Sequence, residues 1–185
     1  MKEIEILIEV KDTKETALEA LGKFKSKGVK KTLDIYYSDP LRKDLRPNDE
    51  GRLNSCFRIR QKDNKNSIAY KVDHFIGDEW SHSDEYETEI KDFDTALQII
   101  EKLGLKELVR IDNEKHTFKT SEYEIVLEDV KDLGLFMEVE KKTQVSDEKV
   151  AQTKEDIRTF LNSLDIQLGE EQNAGKPELM LRRRG

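Results

Sequence analysis

Cysteine occurs once in the 185-residue chain, at Cys56. That excludes an internal disulfide and a cysteine-rich metal centre. Histidine is nearly as scarce, and His74, His82 and His116 show no ligand-motif spacing, so the sequence does not mark them as metal ligands. No apolar run approaches the length of a membrane span, and the first residues enter a strand pattern rather than a signal-peptide pattern. A cytoplasmic protein with no membrane partner is therefore expected. Basic runs are missing too, apart from Arg182-Arg183-Arg184, which reads as a solvated tail. With a formal net charge of −7, binding along a nucleic acid is not expected, because that rests on Lys and Arg neutralising phosphates.

What the chain does have is charge arranged by strand. Charged residues make up 39% and hydrophobic residues 35%, yet strong periodicity almost throughout argues for a folded chain, read as one domain over 1–185. Glu3-Ile4-Glu5 and Glu138-Val139-Glu140 sit in strictly alternating runs. In a β-strand each glutamate pair then shares one face, with Ile4, Ile6, Ile8 and Val10, or Leu135, Met137 and Val139, on the other. Phe57-Arg58-Ile59-Arg60-Gln61-Lys62 repeats the pattern with the opposite sign, Lys71 follows in the next apolar run, and Glu85, Glu87 and Glu89 return to acids. Such a sheet is either open with a solvated face, or a closed barrel with its charges inside. The segregation of acids and bases by strand favours the barrel, whose facing carboxylates and guanidinium groups would suit a metal-bound polyphosphate.

The first strand covers about 2–10. Asp12, with Glu15 three residues on, reads as a capping box for a helix that carries Ala17, Leu18, Leu21 and Phe24 on one face and stops at Gly28. Leu33 to Tyr37 is a strand and 38–51 a loop. Strands follow at about 54–62, 67–75 and 82–90, then a helix from Asp92 or Asp94 to Gly104 that buries Ala96, Leu97, Ile99, Ile100 and Leu103. Strands at about 106–119, 122–129 and 134–142 precede a third helix, capped by Ser146, with Ala151, Ile157, Leu161 and Leu164 inward. The tail after Gly169 reads as irregular. The sum is an α+β fold with eight largely antiparallel strands, enough to close a barrel, and three helices outside it.

These residues carry a resemblance. From Glu3 to about Leu179 the chain resembles the CYTH superfamily, the triphosphate tunnel enzymes that include class IV adenylyl cyclases, thiamine triphosphatases and inorganic triphosphatases. Glu3 and Glu5 match the acids of the opening Glu-x-Glu-x-Lys signature, with Leu7 at the lysine position. Asp34-Ile35-Tyr36-Tyr37 is similar to the family's aromatic strand, Arg58 and Arg60 to its paired arginines, Lys71 to a lysine one strand later, and Glu85, Glu87 and Glu89 to its acidic strand. The stretch from Leu127 to Glu140 follows the Leu-Asp-x-Val-x-x-Leu-Gly-x-Phe-x-Glu-Ile-Glu block, with Glu128 for its aspartate.

The resemblance implies an eight-stranded tunnel in which Arg58, Arg60, Lys71, Arg110 and Lys115 hold a triphosphate, while Glu3, Glu5, Glu128, Glu138 and Glu140 hold Mg²⁺ or Mn²⁺. Lys115 lies near a basic pair of the family, and Asn113 replaces one member of it. Periodicity leaves Arg110 either in the tunnel or outside. Lys176, in a segment similar to the family's closing one, is within reach of a phosphate. The implied partner is a small-molecule triphosphate: ATP, thiamine triphosphate or tripolyphosphate. A homodimer is within what the resemblance allows. No nucleophilic side chain stands out, and phosphoryl chemistry needs none. Leu7 cannot activate a water as a lysine could, which favours cyclisation of ATP to cyclic AMP and pyrophosphate, where the attacking hydroxyl belongs to the substrate. The alternatives are a thiamine or inorganic triphosphatase, or a non-catalytic binder of nucleotide or polyphosphate.

Overall fold

The computed structural model describes residues 2–63, 65–77, 79–143 and 149–184, with the side chains of 2, 3, 79, 142, 143 and 184 outside that description. Its elements are β1 (Lys2–Val10), α1 (Lys14–Leu21), β2 (Lys25–Ser38), β3 (Ser55–Lys62), β4 (Lys65–Ile76), β5 (Glu79–Ile90), α2 (Phe93–Lys102), β6 (Lys106–Lys119), β7 (Glu124–Val130), β8 (Gly134–Thr143), α3 (Val150–Asn162), β9 (Leu168–Gln172) and α4 (Lys176–Arg184). The strands form one antiparallel sheet in the order β5-β4-β3-β2-β6-β7-β8-β1-β9, and β5 also pairs with β1. That last pairing closes β1 to β8 into a ring, through Lys2↔Asp84 and Glu3↔Ser83. Beyond this short seam the free edge of β1 is taken by β9, at Leu7, Ile8 and Val10. No helix among the described residues is long and apolar enough to cross a membrane.

The apolar core lies outside the barrel wall. Ile4, Ile6, Ile8 and Val10 of β1 and Met137 and Val139 of β8 pack with Ala17 and Leu21 of α1 and Val150, Ile157 and Leu161 of α3. A second cluster places Ile35, Tyr37 and Ile59 under Ile100 of α2. A third lies on the inner side, where Leu7, Tyr36, Val109, Ile111 and Phe136 meet Met180 of α4. The alternation therefore resolves as a barrel with its charged faces inside: Glu5 stands opposite Glu140, and Leu7 opposite Glu138, across the β1–β8 pair.

Several boundaries differ from the sequence reading. α1 is capped by Thr13, whose side chain accepts from the Thr16 amide. Asp12 instead accepts from the backbone N–H of Gln167, at 2.7 Å. The helix ends after Leu21, and Gly28 (φ 96°) sits at a register shift of β2 against β6, a bulge rather than a helix stop. The first half of β2 gives no strand signal in the sequence, because it is largely solvated and carries no apolar period. In α2 only Ile100 is fully buried, whereas Ile99 and Leu103 are exposed. In α3 Val150 faces the core and Ala151 faces out, and the Ser146 cap falls outside the described residues. The tail is not irregular: it supplies β9 and α4.

Ile6 is fully enclosed between β1 and its helices. Ile6→Ala should lower unfolding stability by about 3 kcal/mol, the usual combined cost of lost transfer and a residual cavity, as read from urea denaturation.

Candidate functional site

The barrel encloses a cavity of about 280 Å³. Alternation aims every second side chain of each strand into it. One wall is cationic, with Arg58 and Arg60 from β3, Lys71 from β4 and Lys115 from β6; the other is anionic, with Glu5 from β1 and Glu138 and Glu140 from β8. Leu7, Tyr36 and Lys176 contribute to the same cavity. One carboxylate oxygen from each of Glu5, Glu138 and Glu140 lies within 4.8 Å of the others. Three hard oxygen donors so gathered could hold a divalent cation such as Mg²⁺ or Mn²⁺.

Beneath the cations lie buried acids that fix their positions. Asp34 is the one charged residue of Leu33-Asp34-Ile35-Tyr36-Tyr37, on the same strand face as Tyr36, and it receives the Nε and a terminal nitrogen of Arg60, both at 2.6 Å. Burial alone would push the Asp34 carboxyl up, but the charge and hydrogen bonds of Arg60, helped by Arg58 and Lys115, hold it well below the carboxylate range. Glu128, fully buried, receives Lys115 Nζ at 2.8 Å, Lys176 Nζ at 3.0 Å and Asn113 Nδ2 at 3.1 Å. Asn113 in turn accepts from the Thr32 hydroxyl. Lys176 also donates to Glu138, at 2.7 Å. Burial opposes both charges of that pair, yet Glu128 and Glu138 lift Lys176 well above an ordinary lysine, and Lys176 and Lys115 hold Glu138 well below an ordinary carboxylate. Lys115 moves the other way, because burial outweighs its attraction to Glu128 and lowers its pKa.

Arg58 bonds Glu85 at 3.2 Å and Glu87 at 3.4 Å, while its Nε is buried without a hydrogen-bond partner among the described residues. A guanidinium with a donor to spare, facing a polar cavity, is suited to an anionic oxygen.

The structure thus gathers Arg58, Arg60, Lys71, Lys115, Glu5, Glu138 and Glu140 around one space. Three other expected site residues stand differently. Arg110 lies on the outer face, since Val109 and Ile111 take the inward positions of β6, and it pairs with Glu107 at 2.9 Å. Glu128 is not grouped with the three clustered carboxylates, because its oxygens are engaged by two lysines and Asn113; it serves as an anchor. The side chain of Glu3 is outside the described residues. Of the further acids, Glu85 and Glu87 line the cavity, whereas Glu89 is exposed beside Lys65. Asp34 and Asn113 had no role assigned from sequence; a lone carboxylate inside an apolar strand was the available signal for Asp34.

A closed antiparallel barrel with opposed cationic and anionic inner walls defines a tunnel protein. The chain belongs to the CYTH domain family, whose model matches residues 1–171. It is 33% identical over 169 residues to a protein of Methanocaldococcus jannaschii described as a "putative adenylate cyclase", covering 90% of this chain and 91% of that one. Among solved structures it is similar to a protein of Pyrococcus horikoshii OT3, with TM-score 0.83, 23% identity and coverage of 98% and 99% of the two chains. It is also similar to a Hippeastrum protein described as a "putative adenylyl cyclase" with a dominant triphosphatase activity, with TM-score 0.67, 18% identity and coverage of 99% and 96%. At these identities the two structures bear on the fold alone.

Asp34→Asn would leave the Arg60 guanidinium buried against a neutral amide and should cost about 3–5 kcal/mol of stability, the usual penalty for breaking a buried pair. The pH dependence follows from the sign of the shift. With its pKa depressed in the fold, Asp34 contributes fully above the ordinary carboxylate value of about 4, and the contribution is lost as pH falls below it. Denaturation at pH 7, 5 and 3 should show a stability loss at the acid end that is shallower in the variant.

Proposed function

We propose that this tunnel binds a triphosphate with a divalent cation and cyclises ATP to cyclic AMP and pyrophosphate. The observation that carries the reading is the placement of Arg58, Arg60, Lys71 and Lys115 across one cavity from Glu5, Glu138 and Glu140. Arginine's planar fork takes phosphate oxygens two at a time, and the lysines add point charges. Glu5, Glu138 and Glu140 would hold Mg²⁺ or Mn²⁺. A cation held by these carboxylates would supply positive charge to offset that of the triphosphate and of the leaving pyrophosphate.

Cyclisation needs positioning more than a protein nucleophile. The substrate's own 3′-hydroxyl attacks the α-phosphorus and gives up its proton to solvent as the bond from that phosphorus to the pyrophosphate oxygen breaks, while the basic wall holds the triphosphate in line and stabilises the leaving oxygens. The name of the Methanocaldococcus jannaschii relative supports this reading. Hydrolysis of a triphosphate is the second reading, and one contact favours it. Leu7 pairs across the sheet with Glu138, and Glu138 is held by Lys176, so an ammonium group enters from α4 beside the strand position where the family signature carries its lysine.

Incubation with ATP, thiamine triphosphate or tripolyphosphate in Mg²⁺ or Mn²⁺ separates the readings by product. Cyclic AMP and pyrophosphate from ATP are expected; inorganic phosphate from any of the three would establish hydrolysis instead, and binding without product would reduce the tunnel to a receptor. Arg58→Lys keeps the charge but loses the fork. It should weaken binding of a non-hydrolysable ATP analogue by about 1–3 kcal/mol, the worth of one charge-assisted hydrogen bond, as read by calorimetry.

A further inference from the structure

Outside the tunnel the fold makes a second constellation that the sequence spacing does not disclose. His74 of β4 and His82 of β5 are direct cross-strand partners, the last pair of the regular β4–β5 register before a shift between His74 and Phe75. Their rings stack with centroids 4.5 Å apart and planes 11° from parallel. Asp84, two residues along β5 and so on the same face as His82, lies 2.9 Å from His74 Nε2. One ligand atom from each of the three falls within 4.8 Å of the others. On the inner face of the same hairpin, Asp73, Lys71 and Glu85 line the cavity, so alternation turns this trio to the outside of the wall.

We propose that His74, His82 and Asp84 form a binding site for a late first-row divalent transition ion of the Zn²⁺ class, distinct from the carboxylates of the tunnel. The donor chemistry makes the distinction. Two imidazoles and one carboxylate match borderline ions, whereas Mg²⁺ and Ca²⁺ prefer sets built wholly of oxygen. Metal–nitrogen bonds of about 2.0–2.1 Å place tetrahedral ligand atoms about 3.3 Å apart. The three groups therefore need only side-chain rotation to close on an ion. His74 and Asp84 are partly exposed, which gives the ion access and leaves its fourth position to water.

The location gives the site a consequence. Asp84 is the residue whose backbone pairs with Lys2, and its neighbour Ser83 pairs with Glu3, and these two pairs form the seam that closes the barrel. An ion bound to both strands of the hairpin would clip β4 to β5 beside that seam and stiffen the wall that presents Lys71, Asp73 and Glu85 to the cavity. The inference is independent of the reaction proposed for the tunnel.

The test is calorimetric titration of the full chain with Zn²⁺ in buffer holding excess Mg²⁺, which occupies all-oxygen sites. One equivalent should bind to the parent protein. His82→Ala and Asp84→Asn should each weaken it at least tenfold, about the least that even an outer partner of a metal ligand commands. The double variant Glu138→Gln, Glu140→Gln and the control His116→Ala should bind as the parent does. Zn²⁺ binding that survives His82→Ala, that disappears only in the double glutamate variant, or that is absent from the parent would each overturn the proposal. If His82→Ala melts differently from the parent in chelator, His74→Ala removes the same ring pair from the other strand and decides.

Discussion

An ionised group inside a closed barrel is stable only where an opposite charge or a hydrogen bond meets it, because removing an isolated charge from water costs several kcal/mol. The interior here answers that constraint in two layers. Deepest are acids with no access to solvent: Asp34, held in the fork of Arg60, and Glu128, which collects Lys115, Lys176 and Asn113. Above them Arg60, Lys115 and Lys176 line the cavity, beside Arg58, which Glu85 and Glu87 hold and whose Nε has no hydrogen-bond partner among the described residues. A carboxylate beneath a cation fixes its direction before any ligand arrives, which is what preorganised recognition of an anion requires.

Placing charge inside moves the apolar core outside. Each barrel strand needs only one apolar face, and α1, α2 and α3 cover much of it, so a chain with 35% hydrophobic residues can still build a packed core. The same logic explains the C-terminal segment. β9 takes the part of the β1 edge that β5 leaves, and α4 then carries Met180 into the inner apolar cluster and Lys176 to Glu128 and Glu138. The end of the chain thereby becomes part of the tunnel rather than an appendage.

The strands that show a clean period of two were readable from sequence, since only one register buries Ile4, Ile6 and Ile8 and turns Glu5 inward. Arg110 was not, because Lys106, Glu107, Arg110 and Asp112 put charge on both faces of β6, and only pairing shows that Val109 and Ile111 point in. β9 reads Leu168-Gly169-Glu170-Glu171-Gln172, an edge strand without an apolar period, and α4 is too short to announce itself by one. Glu128 lies in a matching family block, yet its use as an anchor depends on Lys176, 48 residues away. The stack of His74 on His82 was hidden likewise, since cross-strand register rather than spacing creates it.

The most direct measurement concerns the sign of the tunnel's charge. Glu5, Glu138 and Glu140 stand opposite the basic wall in a chain of net charge −7, so a triphosphate should bind well only when a cation offsets those carboxylates. Calorimetric titration with tripolyphosphate, once in Mn²⁺ and once in chelator, reads this without any assumption about the reaction. Binding that is much tighter with Mn²⁺ is predicted. Equal affinity under the two conditions would contradict the account, leaving the facing walls as an internal ion-pair network that has no part in holding a triphosphate.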